Sequence, residues 1–521
     1  MTARRLVIAA AVAWTLFVGA LSLAQHRGLR TQMNDLGNAD QAIWDASRGH
    51  LSMVQSNTAD GRPRSRLAVH GNFIFLALSP VYRLLPRPEL LLLLSVLACA
   101  AAGLGLYAFA RQRFGESFWS AVPPLAFWAS PMVHDAALYD FHVVTLVAAL
   151  LVWCVVCFEA RRPRAAWLLF ALALLCNEDV PLLGVMLGAW LALQGRRREG
   201  AAAAFISVVY FVVLAGLLVP ALNQGHGLEK LAGHGNRYAW LGEGAGGILE
   251  GALLHPLLVA RHLLTWRSLR VPLYLLLSGG AAALGGWPLL LPALPQVLQG
   301  CLSDLAFNTR VTGTYYWIIA EAFIVLACAA SGRRSSLGWL AGATAVFSVL
   351  LSPLPYGVGS SWANYAIGAG ETVLEAAARE VPPGASLCAQ NNLGAHFSQR
   401  RALHVPPLFC DTSQFAIFYL RDVGGPDSGL FVRSDPDYLL GMSAGTPPAP
   451  MPFQVTRALL LEPDWALLLQ RDGLYLFARG GERRVPRPEG LNAYREDLNR
   501  YLETARINDR ARLPWARLLT E

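Results

Sequence analysis

Charge is scarce in this sequence. Of its 521 residues, 15% are Asp, Glu, Lys or Arg, against about 25% in soluble domains. That shortage argues against a chain that is soluble throughout. Internal repeats and long low-complexity segments are also missing. No pair of matching, Gly/Pro-broken half-repeats appears, which weighs against an alternating-access transporter. Cysteine is sparse at eight, and six of these (Cys99, Cys154, Cys157, Cys176, Cys301, Cys328) lie in or beside apolar runs. They read as small packing residues. Cys154 and Cys157 form a CxxC without a second pair, too little for a metal or redox centre. Cys388 and Cys410 fall in the polar C-terminal part, where a disulfide is open if that part is extracytoplasmic.

What the sequence has is apolar length. It is 54% hydrophobic, with a mean hydropathy of +0.39, and its long apolar runs place it among polytopic membrane proteins. The net charge of +8 comes largely from arginine. The arginines cluster between apolar runs, so they read as cytoplasmic anchors and not as a nucleic-acid surface.

The runs alternate with these clusters. Arg4-Arg5 precede Leu6–Ala24, read as an uncleaved anchor despite the signal-peptidase-like Ser22-Leu23-Ala24. Residues 25–88 form a large first outer loop, in which Phe73–Leu85 reads as a helix lying along the membrane surface. Leu90–Ala110 then runs inward to Arg111-Gln112-Arg113. Phe118–Val133 runs outward to the segment His134–His142, and Val143–Phe158 returns to Arg161-Arg162-Pro163-Arg164. Ala165–Cys176 and Val180–Leu193 flank Asn177-Glu178-Asp179 and end at Arg196-Arg197-Arg198. Ala201–Pro220 leads to a loop at Asn223–Gly247. Leu269–Leu284, Trp287–Leu302, Tyr315–Ala330 and Leu337–Leu351 complete the pattern, with Arg333-Arg334 between the last two. This predicts an α-helical polytopic protein of about eleven transmembrane helices over residues 1–352. The N-terminus is cytoplasmic, and residues 353–521 form an extracytoplasmic α/β domain. In that domain Ser386–Ala389 reads as a strand. Gln470-Arg471-Asp472-Gly473 reads as a hairpin loop, and Tyr494, Leu498, Tyr501, Leu502 and Ala505 as one helical stripe.

The arms around Glu178 are short. At 1.5 Å per residue, 12 and 14 residues reach only about 20 Å each. A hairpin with its acidic apex sunk below the outer surface fits both that length and the flanking arginines. A charge at such depth costs about 2.5–3.5 kcal/mol or more unless it meets a wet cavity or a partner. Glu178 and Asp179 are therefore expected to line a cavity.

Four polar clusters fall on the outer side: Asp35 with Asp40, His70, Asp140 with His142, and Glu178 with Asp179. Each has a plainer reading. Asp35 suits a turn before Gly37, His70 suits an interfacial ring held by a carbonyl, and Asp140 with His142 suits an ordinary loop pair. Together they describe a cleft that positions a general base or binds a divalent cation, with Asp140 and His142 as the candidate metal ligands.

Asp35-Leu36-Gly37 followed by Asp40-Gln41-Ala42-Ile43-Trp44 resembles the opening signature of the bacterial membrane family called domain-of-unknown-function 2079. Asp140-Phe141-His142 and Glu178-Asp179 resemble its next two motifs. Val381-Pro382-Pro383-Gly384-Ala385 and Ser398-Gln399-Arg400 resemble its C-terminal pattern. Two places depart from it. Gly71-Asn72-Phe73 stands where Phe-Ser-Pro usually follows the histidine, and Tyr315-Tyr316 stands where a His-Tyr pair is common. That family is similar to the glycosyltransferase C superfamily. The resemblance implies a multispan bacterial inner-membrane enzyme that takes a sugar from a polyprenyl-phosphate carrier on the extracytoplasmic face. It implies Asp35 as the catalytic acidic residue, beside which Asp40 is the second catalytic candidate, and a lipid-linked donor and membrane lipid as partners. His70, Asp140, His142, Glu178, Asp179 and Arg310 are the expected substrate-binding residues. Arg62, Arg64, Arg66 or Arg310 would meet the leaving phosphate. The rivals are a transporter or lipid flippase using the buried acids and a non-catalytic assembly protein.

Overall fold

The computed structural model describes residues 2–56, 63–222, 237–242, 244–368, 370–406, 410–421 and 451–511. Arg62, most of the Asn223–Gly247 loop, and the side chains of Leu502 and Ala505 lie outside the described residues. The chain divides into two compact units. One comprises Met1–Ser22, Ser65–Leu85 and Leu90–Ser361, the other Leu23–Arg64, Pro86–Glu89 and Trp362–Glu521.

The first unit is helical. Among the described residues, five helices are long and apolar enough to cross a membrane: Ala3–Arg27, Pro88–Phe114, Arg197–Leu222, Trp266–Leu302 and Arg334–Leu351. Shorter apolar helices include Val143–Glu159, Pro163–Leu174, Val180–Leu193 and Ile318–Ala330. Val180–Leu193 packs on the helix beginning at Arg197 through glycine. A Cβ on Gly188 would sit 2.5 Å from the Gly200 carbonyl oxygen, and one on Gly200 equally close to that of Gly188. Such close backbone approach is how helices pack where lipid removes the hydrophobic drive between them. The outer side of the Arg197–Leu222 helix exposes Phe205, Val208, Val212, Val213 and Leu217. Water would penalise that apolar face, whereas a bilayer accommodates it.

Two stretches differ from the simple span pattern. The run read as Phe118–Val133 breaks at Ser130, whose backbone is extended, and Pro131–Leu138 forms a separate helix. His134 and Asp135, expected in an outer loop, are buried on that helix. The runs Leu269–Leu284 and Trp287–Leu302 belong to one helical stretch that loses helical geometry at Gly286, between Pro272 and Pro288. Its ends fold back on each other, since the Ser268 hydroxyl donates to the Cys301 carbonyl at 2.8 Å.

The second unit is built on five strands: β1 (Leu387–Ala389), β2 (Leu403–His404), β3 (Phe415–Tyr419), β4 (Trp465–Arg471) and β5 (Leu474–Arg479). Their order is β2-β1-β3-β5-β4, parallel at β1/β2 and β1/β3 and antiparallel at β3/β5 and β4/β5. Alternate side chains supply two cores. Leu387, Ile417, Leu474 and Leu476 join Val373, Leu374 and Ala377 of helix Gly370–Glu380 on one face. Cys388, Phe418, Tyr475 and Phe477 join Phe453, Leu460 and Tyr494 on the other. With both faces covered, the strands are apolar on both sides. Asp472 and Gly473, at φ +50° and +86°, make the β4–β5 turn, the geometry an Asp-Gly pair favours. Cys388 and Cys410 are joined by a disulfide.

Candidate functional site

In the first unit the turn between Pro163–Leu174 and Val180–Leu193 is fastened to the segment before helix Ile74–Leu84. The Ile74 N–H donates to the Leu175 carbonyl at 2.8 Å, and the Asn72 amide donates to the Cys176 carbonyl at 2.6 Å. Asn72 is itself held by the Arg66 Nε–H at 2.8 Å. These bonds bring His70 to Glu178, with Nδ1 2.8 Å from Oε1, while the Gly71 N–H donates to Oε2 at 2.9 Å. A Cβ on Gly71 would meet Leu214 Cδ2 at 2.6 Å, so the end of that side chain would have to shift to admit one. The Gly71 backbone N–H and the Asn72 side-chain amide together seat Glu178 and its turn.

Burial opposes ionisation of Glu178, but the charge and hydrogen bond of His70, with the Gly71 N–H, outweigh it and hold the carboxyl well below the usual range. Asp179 goes the other way. It is open at the surface on one side, but protein crowds its carboxyl elsewhere. That burial, followed by the adjacent Glu178 charge, raises it, and Arg237 and His70 oppose the rise only in part. Two neighbouring carboxyls thus have environments that separate their protonation states, a property concentrated at functional sites.

Arg237 lies within electrostatic reach of Asp179, Tyr315, Tyr316 and Tyr238. Beside it, the Gln299 amide contacts Asp179 Oδ1 at 3.5 Å. Tyr315 and Tyr316 hydroxyls meet at 3.3 Å, and the His142 ring stacks on Tyr315 with centroids 3.4 Å apart and a 14° tilt. Tyr139 and Phe307 rings pack against Tyr315 at 5.2 and 6.1 Å. Asp140 lies between Tyr139 and the helix that begins at Val143 with a left-handed φ of +50°. Left-handed backbone is uncommon outside glycine, although Asp tolerates it better than most residues. The Tyr315 loop is held from behind: the Gly313 N–H donates to buried Asp135 Oδ2 at 2.7 Å, and Trp317 Nε1–H to the Arg310 carbonyl at 2.7 Å.

The first unit therefore gathers His70, His142, Glu178 and Asp179 along one series of hydrogen bonds, ring contacts and electrostatic interactions that runs through Tyr315, Tyr316 and Arg237. Arg310 stands over the Phe307 ring at 6.0 Å and near Arg270. Asp35 and Asp40 belong to the second unit. Met33–Gly37 is a π-helical turn leading into helix Asn38–Ser47. Asp35 is half-buried there. Asp40 is fully buried and accepts from the Ser398 hydroxyl at 2.6 Å. Gln41 donates to the Arg400 carbonyl at 2.6 Å, and Asn391 Oδ1 accepts from the Asn34 N–H. Among the described residues, no three His, Cys, Asp or Glu side chains come close enough to hold a metal ion, so Asp140 and His142 gain no third ligand of those types there.

Sequence reasoning did not single out Arg237, which lies alone beside a Gly-rich loop without a motif. It also passed over Asp135 and Glu321. Both are buried in the helical unit, and each is a single acid inside an apolar stretch.

The fold and this cluster define a polytopic helical membrane protein with an ionisable site built at helix ends. The chain belongs to the family described as predicted membrane protein DUF2079, whose profile matches residues 25–417. No protein of curated function matches the sequence. Among solved structures the chain is similar to ArnT from Cupriavidus metallidurans bound to undecaprenyl phosphate. The identity is 14%, over 90% of this chain and 97% of that one, with a TM-score of 0.48. The apo state of the same protein aligns at 13% identity over 90% and 98%, with a TM-score of 0.42.

Proposed function

We propose that this protein transfers a sugar from a polyprenyl-phosphate-linked donor to an acceptor on the extracytoplasmic face of the bacterial inner membrane. The observation that carries the reading is the convergence of Glu178, Asp179, His70 and Arg237 from segments far apart in sequence. Glycosyl transfer from a lipid phosphate needs a proton acceptor for the incoming hydroxyl or amine and a cation for the departing phosphate. The cluster holds both types of group. Arg237 is assigned to the phosphate, and the tyrosines beside it supply hydroxyl donors. Asp35 is kept as the acid that the family resemblance implies for catalysis. The Cys388–Cys410 disulfide supports an oxidising, extracytoplasmic setting for the second unit.

The test is transfer of labelled sugar from lipid carriers in membranes holding the wild type or Asp35→Asn. Loss of transfer in the variant keeps Asp35 in the reaction, and equal turnover removes it. Asp135 and Glu321, buried in the helical unit, favour a rival reading as an ion-coupled transporter. Flux through proteoliposomes without sugar transfer would select that rival.

A further inference from the structure

We infer that His70 and Glu178 form a proton-accepting dyad, in which His70 takes the acceptor's proton and Glu178 positions the ring. The inference rests on the transferase reading and deepens it by naming the base. Glu178 is ionised, so its oxygens only accept. Its contact with His70 Nδ1 at 2.8 Å therefore requires the proton on Nδ1. Once the ring has given up its second proton, the remaining one stays on Nδ1 against Glu178 and the lone pair sits on Nε2, the tautomer a general base needs. Among the described residues no donor or acceptor meets Nε2, and the side chain keeps 28% exposure, while Glu178 keeps 15%.

Glu178 is in turn fixed. Its second oxygen accepts from the Gly71 N–H, and its turn is tied to residues 72–74 by the Asn72 and Ile74 bonds. An imidazole whose second nitrogen is held by an anchored carboxylate is oriented and stabilised when it becomes imidazolium. A merely interfacial histidine needs no such support. The two acids differ because Glu178 is committed to the His70 ring and the Gly71 N–H, whereas burial and the adjacent Glu178 charge outweigh Arg237 at Asp179.

In the step, the acceptor oxygen or nitrogen forms a bond to the anomeric carbon. The bond from that carbon to the phosphate oxygen breaks, and polyprenyl phosphate leaves with the electron pair. The acceptor's proton passes to His70 Nε2, the resulting imidazolium is balanced by the Glu178 carboxylate, and the proton then returns to water.

The experiment uses the full chain in membrane vesicles, with radiolabelled polyprenyl-phosphate hexoses at varied concentration. His70→Ala is expected to lower kcat at least 100-fold, with KM within about threefold and part of the rate restored by added imidazole. Glu178→Gln, which keeps the shape but not the charge, is expected to lower kcat about tenfold or more at similar KM. Turnover by His70→Ala within threefold of wild type overturns the dyad, as does a loss that imidazole leaves unrepaired. If the wild type transfers no sugar from any donor, the transferase reading fails, and the dyad is judged separately by carbethoxylation of His70 with diethyl pyrocarbonate. Slower modification in Glu178→Gln than in wild type supports an activated ring, and equal rates refute it.

Discussion

The Ser398 hydroxyl donates to Asp40 Oδ2 at 2.6 Å across 358 positions of sequence. This bond joins the motif after the first helix to the C-terminal Ser-Gln-Arg motif, and the neighbouring Gln41–Arg400 bond links the same two motifs again. A fully buried carboxyl with such a partner helps hold the segment that carries Asp35. Ser398→Ala removes the donor and leaves the buried Asp40 carboxyl short of one hydrogen bond, at a cost of about 1–3 kcal/mol. The expected result is a lower unfolding midpoint of the purified protein. An unchanged midpoint would mean that Asp40 draws its stabilisation elsewhere.

Gly71 is set between Leu214 and the Glu178 backbone, at 2.6 and 3.4 Å from an added Cβ. Gly71→Ala should cost about 1–3 kcal/mol through overpacking, and it should also separate His70 from Glu178. Its transfer rate should therefore fall further than its loss of folded protein explains, measured as rate per folded molecule. A fall in folded protein alone would show that the glycine serves packing only.

His396 lies in the second unit with its ring 4.0 Å from that of His26, nearly parallel. Burial first, then the His26 ring, hold it well below the usual histidine range, with Glu89 acting weakly against them. A depressed histidine means that the unfolded chain binds a proton the fold refuses. The stability is present in full above the ordinary value of about 6.5 and declines as pH falls below it, by up to about 1.4 kcal/mol per pH unit. His396→Phe keeps a stacked ring but cannot titrate. Melting curves from pH 7.5 to 5 should drop less steeply for this variant than for wild type, and parallel curves would contradict the assignment.

The Cys388–Cys410 disulfide spans 22 positions. A loop of that size is stabilised by roughly 3 kcal/mol through restriction of the unfolded chain. Reductant should lower the melting midpoint of wild type but leave a Cys388→Ser, Cys410→Ser variant unaffected. Equal responses would mean that the bond carries no stability.

Much of the fold was readable because its signals are long or repeated. The apolar run Leu6–Ala24 lies within helix Ala3–Arg27, and Asp472-Gly473 makes the β4–β5 turn. Tyr494 is buried against Phe453, as the helical stripe required. Glu178 and Asp179 stood out because two arms were too short for a straight span. The rest has no periodic signature. Arg237 is one cation, and only three-dimensional closure brings it to Asp179. Ser130 ends a helix inside an apolar run because its backbone turns extended before Pro131, and hydropathy does not register such a break. Gly71 and Asn72 resembled a departure from a motif, because the Gly71 backbone N–H that meets Glu178 and the Asn72 side-chain amide that meets Cys176 find their partners only in three dimensions.

The most direct test of the account is the rate at which membrane vesicles holding the full chain convert radiolabelled polyprenyl-phosphate hexose to free polyprenyl phosphate, with wild type and Arg237→Ala compared. Measurable conversion by the wild type and a loss of about tenfold or more in the variant are expected, since the departing phosphate loses its cation. Conversion at the same rate by both proteins, or by neither, would contradict it.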